Sequence, residues 1–358
     1  MAADPFALTA QLVDIPSVSH DEEAITDWIE SRLRAVPGLE VTRLGHNLIA
    51  RTHLGRARRV VLAGHTDTVP INDNLPSRLD GEVLWGCGTS DMKAGLGVMI
   101  ALVDEFASGA EPTCDLTWVF YEAEEVAASF NGLKRIFEER PELVHGDVAI
   151  LGEPTGAAIE AGCQGTIRLR IELAGDRAHT ARPWMGTNAI HRAGRVVARI
   201  TAYREREPVL DGCRFREATQ VVKMVGGVAA NVVPDSATLT VNHRYAPDRT
   251  GEEAVEELRA WVADLLDDPR DAFVVEEIAT AAAPSLTDPL LQRLVEVHGL
   301  EVRAKLGWTD VARFAAHGVP AANLGPGDAT LAHTRDERVG RRPVIETFRV
   351  LREDLFGQ

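Results

Sequence analysis

Apolar positions in the first half of the chain follow two periodicities. In residues 6 to 35 the apolar residues recur at helical spacing, with a break at Pro16. Ser19 is predicted to cap the helix that ends at Arg34. Residues 92 to 107 are predicted to form another, largely buried helix. Three short apolar runs, typical of strands buried on both faces, cover residues 59 to 64, 115 to 121 and 147 to 152. Strands that alternate with helices predict an α/β domain with a mainly parallel sheet.

A different pattern begins near residue 165, where apolar and polar residues alternate along the strands. The predicted order is β-α-β-β-α-β, with elements at residues 166 to 173, 186 to 206, 219 to 224, 237 to 245, 250 to 266 and 272 to 278. This is the order of a ferredoxin-like unit. The simplest organisation is therefore an α+β domain at 165–283, inserted into a discontinuous domain formed by 1–164 and 284–358.

The composition excludes some classes of protein. The chain of 358 residues is 45% hydrophobic and 26% charged, which is ordinary for a globular protein of two domains. Its formal net charge of -16 argues against a nucleic-acid-binding surface. Residues 1 to 6 show no signal-peptide pattern, and no apolar run reaches the ~18 residues of a membrane span. The cysteines are far apart and form no CxxC pair, so we expect free thiols in a cytoplasmic protein: Cys87, Cys114, Cys163 and Cys213.

Ionisable residues recur where predicted strands end, where a helix begins, or after a glycine-rich loop. They are His65, Asp67, Asp91, Glu122, Glu124, Glu125, Glu153 and His333. Each has an ordinary alternative when it is taken alone. A histidine at a strand end is more often structural, Asp91 suits a helix N-terminus, and the glutamates suit solvated turns. Because sites in doubly wound sheets form at the carboxyl ends of strands, their joint occurrence favours one shared site.

Charge counting predicts that this site binds metal. Four of the acids, Asp91, Glu124, Glu125 and Glu153, would repel one another in one cleft, and some would take up protons. Two divalent cations would balance their four negative charges. Histidine together with aspartate and glutamate is a usual set of zinc ligands.

Five segments in this order resemble the motifs of the M20 family of dinuclear zinc peptidases and deacylases. They are Gly-His-Thr-Asp-Thr-Val-Pro (64–70), Gly-Cys-Gly-Thr-Ser-Asp-Met-Lys-Ala-Gly (86–95), Glu-Ala-Glu-Glu (122–125), Gly-Glu-Pro-Thr (152–155) and Ala-His-Thr (332–334). The resemblance covers nearly the whole chain. It implies a zinc-peptidase-like catalytic domain with a mainly parallel mixed sheet, and an inserted ferredoxin-like domain that acts as lid and dimerisation domain.

The resemblance also implies a role for each motif residue. Five metal ligands would bind two Zn²⁺ ions, for which Co²⁺ or Mn²⁺ could substitute: His65, Asp91, Glu125, Glu153 and His333. Asp91 would bridge both ions. His65 and Glu153 would complete one site, and Glu125 and His333 the other. Glu124 would be the general base, and Asp67 would orient His65.

The inserted domain would contribute to catalysis and to substrate binding. His179 matches a family histidine that reaches the active site of the partner subunit and stabilises the oxyanion. Positions that contact substrate in relatives are matched by Asn231, Arg244, Thr309 and Arg313. Many members have arginine where this chain has Cys87, Cys163 and Gln164, so the resemblance assigns no arginine role there. The implied assembly is a homodimer, with no nucleic-acid or membrane partner.

The specificity segments resemble members in actinobacteria that remove succinate from N-succinyl-LL-2,6-diaminopimelate. These segments are Glu-Ala-Gly-Cys-Gln-Gly-Thr (160–166), Asn-Val-Val-Pro-Asp (231–235), Gly-Trp-Thr-Asp-Val-Ala-Arg-Phe (307–314) and Gly-Pro-Gly-Asp (325–328). The expected function is thus hydrolysis of this anionic amide in lysine and peptidoglycan precursor biosynthesis. Acetylornithine deacetylase, aminoacylase and metallocarboxypeptidase activities are alternatives that share the metal ligands. A non-catalytic binding protein on the same fold is the alternative from another class.

Overall fold

The computed structural model describes residues 4–357. Residues 1–3, on which the signal-peptide prediction partly rests, and residue 358 lie outside this range. The chain divides into two compact units. The first comprises Met1–Ala161, Ser285–Arg303 and Arg313–Gln358, and the second Gly162–Pro284 and Ala304–Ala312. Within 4–357, no helix is long and apolar enough to cross a membrane.

The division differs from the sequence-based boundaries mainly at 304–312. The sequence pattern places this segment in the discontinuous domain, but it clusters with the second unit. Two hydrogen bonds explain the difference, because the backbone N–H of Gln164 donates to the carbonyl of Lys305, at 3.2 Å, and the thiol of Cys163 donates to the carbonyl of Thr309, at 3.7 Å. Such pairing between distant segments leaves no trace in hydrophobic periodicity. That the units act as catalytic and lid domains remains a prediction.

An eight-stranded mixed sheet forms the centre of the first unit. In spatial order its strands are β1 (Glu40–Leu44), β2 (Asn47–Arg51), β6 (Asp115–Tyr121), β3 (Arg59–His65), β7 (Val148–Leu151), β16 (Ala321–Asn323), β8 (Ile159–Ala161) and β15 (Val302–Ala304). The four strands from β6 to β16 run parallel. A small second sheet contains β4 (Arg78–Asp80), β5 (Val83–Trp85) and β17 (Arg338–Gly340). The predicted α/β class is confirmed.

Helices accompany this sheet and are largely apolar where they are buried. They are α1 (Pro5–Val13), α2 (Glu23–Arg34), α3 (Ala94–Ala107), α4 (Gly132–Glu139), α7 (Pro289–His298), α8 (Val311–Ala316) and α9 (Arg341–Phe356). The predicted helix at 92–107 begins two residues later, because Asp91 and Met92 have non-helical backbone angles. The predicted cap Ser19 is wrong. Glu22 occupies that position, and the hydroxyl of Ser19 donates to Asp67 instead.

The second unit has the β-α-β-β-α-β order expected from the sequence. Its elements are β9 (Gly165–Ala174), α5 (Ala189–Thr201), β12 (Ala218–Gly226), β13 (Ser236–Tyr245), α6 (Gly251–Val262) and β14 (Ala272–Ala279), with a short hairpin of β10 (Val209–Leu210) and β11 (Cys213–Arg214). The four long strands pair in the order β12-β13-β9-β14. Alternate residues of β9 and β13 are buried together with apolar residues of α5 and α6, so both helices pack on one face of the sheet.

A buried histidine in this unit is expected to make its stability depend on pH. Burial, and then the charge of Arg249, lower the pKa of His243 to about 4. The side chain is fully buried, and its Nδ1 lies 2.8 Å from the hydroxyl of Thr219. As the pH falls from 6.5 towards 4, the unfolded chain binds a proton that the folded chain excludes. We therefore expect His243 to lower the free energy of unfolding by about 2 kcal/mol between pH 7.5 and pH 5.

Denaturant unfolding of the full chain at these two pH values measures this contribution. His243→Asn should remove the ~2 kcal/mol from the pH dependence. The matched control is His191→Asn, which changes an exposed histidine of the same unit. An equal pH dependence in wild type and His243→Asn would contradict the prediction.

Candidate metal centre

Side chains of opposite charge meet beyond the carboxyl ends of the central parallel strands. His65 is the last residue of β3. Glu124 and Glu125 follow β6, and Glu153 follows β7. Parallel strands bring these ends to one edge of the sheet, which is why strand position alone predicted a shared site.

Asp91 lies between the two histidines. Its Oδ1 is 3.1 Å from His65 Nε2, and its Oδ2 is 3.6 Å from His333 Nε2. The same nitrogen of His333 is 2.9 Å from Glu125 Oε1. Each carboxylate oxygen of Asp91 therefore faces a different imidazole, as a bridging ligand requires.

The donor atoms form two triads that share Asp91. One triad is His65, Asp91 and Glu153, and the other is Asp91, Glu125 and His333, with the ligand atoms of each within 4.8 Å of one another. Glu124 lies close enough to form a further group with His65 and Glu125. Imidazole nitrogens and carboxylate oxygens are the donors that Zn²⁺ takes in proteins, so the residues present fit this metal. All of them belong to the first unit.

The electrostatics of the triads favour charged side chains. Hydrogen bonds with Asp91 and Glu125 raise the pKa of His333 to about 10. Burial opposes protonation of His65, but its hydrogen bonds with Asp67 and Asp91 raise its pKa well above the ordinary value. Burial raises the pKa of Asp91, but its hydrogen bonds with His333 and His65 lower it more, so the pKa lies below its ordinary value. A cation that binds here must displace protons from both imidazoles, so metal binding would release protons.

Asp67 contacts more than His65. His65 Nδ1 lies 3.0 Å from the backbone oxygen of Asp67 and 3.4 Å from its Oδ1; an orienting role for this acid remains a prediction. The carboxylate also accepts the backbone N–H groups of Glu124, at 3.0 Å, and Glu125, at 3.1 Å, and the hydroxyl of Ser19, at 2.7 Å. Asp67 is fully buried and thus fixes the segment that presents both glutamates, a role that the sequence did not reveal.

The remaining acid after β6 points elsewhere. The Oε1 of Glu122 accepts a hydrogen bond from Asn47 Nδ2, at 2.8 Å, and lies 3.9 Å from Arg135. Glu122 belongs to neither triad. The following residue, Ala123, has φ 57, a left-handed conformation that turns the chain between Glu122 and Glu124.

The glycine-rich segment before His333 passes close to the Asp91 segment. A Cβ on Gly327 would lie 2.2 Å from the backbone oxygen of Ser90, so only glycine fits there. His333 itself has φ 62, a costly conformation for a residue with a side chain. Close packing of the two segments brings His333 within reach of Asp91.

The predicted substrate residues lie on both units. Arg313 is in the first unit, whereas His179, Asn231, Arg244 and Thr309 are in the second. His179 and Asn231 are exposed neighbours, since the N–H of Thr180 donates to the carbonyl of Asn231 at 3.1 Å. Thr309 is buried, and Arg244 donates to the hydroxyl of Thr166.

One buried acid near the triads was missed by the sequence analysis. Glu337 is 2% exposed, and its carboxylate accepts the backbone N–H groups of Gly88, Ser90 and Asp91. Its position four residues after His333 was the only sequence signal available.

Comparison with known proteins supplies the family. A protein of Mycobacterium tuberculosis strain H37Rv, provisionally named succinyl-diaminopimelate desuccinylase DapE, is 49% identical over 100% of this chain and 99% of its own length. A succinyl-diaminopimelate desuccinylase of Corynebacterium glutamicum is 45% identical over 99% of this chain and 97% of its own. An M20 family metallo-carboxypeptidase of Sulfolobus solfataricus has a similar structure, with a TM-score of 0.76 and 12% identity over 98% of both chains.

The model of peptidase family M20/M25/M40 matches residues 61–353, which contain both triads. The chain therefore belongs to peptidase family M20/M25/M40, a family of metal-dependent hydrolases.

Proposed function

We propose that this protein hydrolyses N-succinyl-LL-2,6-diaminopimelate to succinate and LL-2,6-diaminopimelate. The observation that carries the chemistry is the pair of triads that share Asp91, with Glu124 beside them. The substrate is supported by the full-length similarity to two proteins named for this activity. The product would serve lysine and peptidoglycan precursor synthesis. All four cysteines are free and buried, in keeping with a reducing, cytoplasmic location.

The metal site would hold two Zn²⁺ ions, with Co²⁺ or Mn²⁺ as substitutes. His65, Asp91 and Glu153 would bind one ion, and Asp91, Glu125 and His333 the other. When bound, the cations would polarise the scissile carbonyl and lower the pKa of the attacking water. Asp67 keeps the segment of Glu124 and Glu125 in place through two backbone N–H groups, so these side chains would need little rearrangement.

Glu124 would act as general base and then as general acid. Its carboxylate oxygen lies within 4.8 Å of donor atoms of His65 and Glu125, yet it belongs to neither Asp91 triad. This position supports a role in which Glu124 takes a proton from the attacking water and returns it to the leaving amine. His179 would hold the developing oxyanion of the tetrahedral intermediate by hydrogen bonding.

The carboxylates of the substrate would bind to Arg244 of the inserted domain and to Arg313. Asn231 and Thr309 would provide further contacts to the substrate. Arg244 supports this assignment. Its guanidinium donates to the hydroxyl of Thr166 and forms no ion pair among residues 4–357. Burial lowers the pKa of Arg244, so a carboxylate ligand would relieve the cost of placing this charge there.

A homodimer through the inserted domain is part of the proposal. β12 is one of the two edge strands of the four-stranded sheet, and it exposes apolar side chains along its length and just beyond: Val222, Met224, Val225 and Val228. An edge of this kind is a template for pairing with another chain. Pairing of two copies would bury these residues and bring His179 of one subunit to the partner.

A substrate panel tests the proposed activity. The zinc-loaded protein is assayed with N-succinyl-LL-2,6-diaminopimelate, N-acetylornithine, an N-acetylated neutral amino acid and a dipeptide. We expect kcat/KM for the succinylated substrate to exceed the others by at least about 10²-fold, because a site built to pair the succinyl carboxylate discriminates strongly against compounds whose acyl group lacks it. A chelator should abolish the activity, and zinc should restore it. A higher kcat/KM for any other compound would assign the chain to that alternative activity.

A further inference from the structure

A carboxylate outside the triads organises the backbone around Asp91. Glu337 Oε2 accepts the N–H of Gly88 at 2.9 Å. Its Oε1 accepts the N–H of Ser90 at 2.8 Å and that of Asp91 at 3.0 Å. Three backbone donors from four successive residues thus converge on one side chain, which forms a concave anion site filled by the protein itself.

The segment that Glu337 holds includes a short π-helical turn, Thr89–Lys93, which is interrupted by non-helical backbone angles at Asp91 and Met92. Gly88 has φ 78, and Asp91 has φ -120 and ψ 95 just before α3 begins. Because Asp91 departs from helical geometry, regular helical pairing does not fix the direction of its side chain. Without Glu337, three buried N–H groups would lose their acceptor, at about 1–3 kcal/mol each. The segment would be expected to rearrange until these donors found other partners.

The same carboxylate also links the segment of Asp91 with the segment of His333. Glu337 lies four residues after His333, and 246 positions separate it from Asp91. Further bonds connect the segments, because Ser90 Oγ donates to the carbonyl of Arg338 at 2.9 Å and the N–H of Gly86 donates to the carbonyl of Glu337 at 3.1 Å. Glu337 therefore lies where these two segments are hydrogen-bonded to each other, and this pairing sets the distance between Asp91 and His333.

We propose that Glu337 is a positioning residue, which fixes Asp91 so that its two oxygens face His65 and His333. The inference rests on the proposed metal centre and extends it to a residue that binds no metal and contacts no substrate. Outer groups that orient metal ligands commonly contribute 10- to 100-fold to metal affinity or activity. Glu337 would do so through the backbone of its target.

Conservative variants separate this role from simple packing. In Glu337→Gln, the amide oxygen can still accept from Ser90 and Asp91, but the NH₂ group then faces the N–H of Gly88, donor against donor. Glu337→Asp keeps the charge and shortens the reach. We expect Glu337→Gln to bind zinc about 10- to 100-fold more weakly than wild type, with Glu337→Asp intermediate.

Asp115→Asn is the matched control. Asp115 is also a buried carboxylate that holds a loop, since it accepts the backbone N–H groups of Leu54, at 2.7 Å, and Arg56, at 3.0 Å. It is the first residue of β6, whereas the triads lie beyond the last. Asp115→Asn should lower the thermal midpoint without changing zinc affinity.

The experiment measures zinc affinity by chelator competition, the visible d–d spectrum of the Co²⁺-loaded protein, and amide hydrogen exchange of residues 86–93. For the Glu337 variants we expect weaker zinc binding, an altered Co²⁺ spectrum and faster exchange. For Asp115→Asn we expect wild-type values for all three. Wild-type zinc affinity and spectrum in a folded Glu337→Gln would overturn the inference. If Glu337→Gln does not fold, the zinc affinity and Co²⁺ spectrum of Glu337→Asp test the inference in the same way. Absence of zinc binding by the wild type would refute the proposed function itself, which is a separate outcome.

Discussion

Replacing Glu124 with glutamine is expected to lower kcat by about 10²–10⁴-fold, while two zinc ions stay bound. Glutamine has the shape of glutamate but cannot take the proton of the attacking water at neutral pH. The backbone N–H of residue 124 would still donate to Asp67, so the segment should keep its position. Steady-state kinetics and metal analysis of the same preparation check both halves of the prediction.

Glu122→Gln is the matched control for this variant. Glu122 lies two residues earlier in the same segment, but its carboxylate bonds with Asn47 and not with the triads. Its kcat should remain within about twofold of wild type, as for most substitutions away from a site. Full turnover in Glu124→Gln, or loss of both zinc ions, would show that Glu124 is not the base.

Glu124→Gln also tests whether His179 acts across a dimer. His179→Ala should be nearly inactive with its zinc retained. Mixed dimers of the two variants contain one active site with both groups intact, and partial recovery of activity is expected. Verified mixed dimers without any recovery would argue that His179 serves its own subunit.

The second large effect is expected for Asp91→Asn. Asp91 belongs to both triads, so the loss of its charge should weaken both metal sites, whereas His333→Ala should weaken only one. We expect zinc content to fall from two ions to fewer than one in Asp91→Asn, and to about one in His333→Ala. Activity of Asp91→Asn should fall by at least about 10³-fold, since the metals account for several kcal/mol of transition-state stabilisation.

Zinc stoichiometry after dialysis against buffered free zinc distinguishes these outcomes. The Asp115→Asn variant again serves as control, because it is expected to lower stability from the other end of β6. If Asp91→Asn retained two tightly bound ions, the two triads would not share Asp91 as a bridging ligand.

Strand position made much of the site predictable. Strands buried on both faces of a sheet are apolar runs, which can be recognised in the sequence. Parallel strands bring their carboxyl ends to one edge of the sheet. The residues that follow these strands could therefore be placed together from the sequence: His65, Glu124, Glu125 and Glu153. His333 follows a loop and not a strand, so only the order of the motifs identified it as a candidate metal ligand. In the structure His65, Glu125, Glu153 and His333 each share a triad with Asp91, and Glu124 groups with His65 and Glu125.

The contacts of Ser19, Asp67 and Glu337 could not be predicted in the same way. Each is a hydrogen bond between a side chain and a distant segment: Ser19 and Asp67 are 48 positions apart in the sequence, and Ser90 and Glu337 are 247 positions apart. Such bonds depend on how irregular loops fold, and periodicity carries no information about that. An acid in a loop looks like a solvated acid until its backbone donors are seen.

Some strands were missed for a related reason. β1 (Glu40–Leu44) has no buried residue, so it lacks the alternation by which a half-buried strand is found. It lies at the edge of the sheet and forms an antiparallel pair with β2. Edge strands are specified by backbone pairing more than by side-chain burial, which the sequence does not display.

The four buried thiols provide a measure of local opening in each unit. Burial raises the pKa of every cysteine, to about 11 for Cys114 and Cys163. Cys87 and Cys114 belong to the first unit, and Cys163 and Cys213 to the second. Because only an exposed thiolate reacts quickly with an alkylating reagent, labelling rates at neutral pH report how often each unit opens. Each unit thus contains two buried cysteines. Their labelling rates report the stability of the two units separately, and no engineered cysteine is needed.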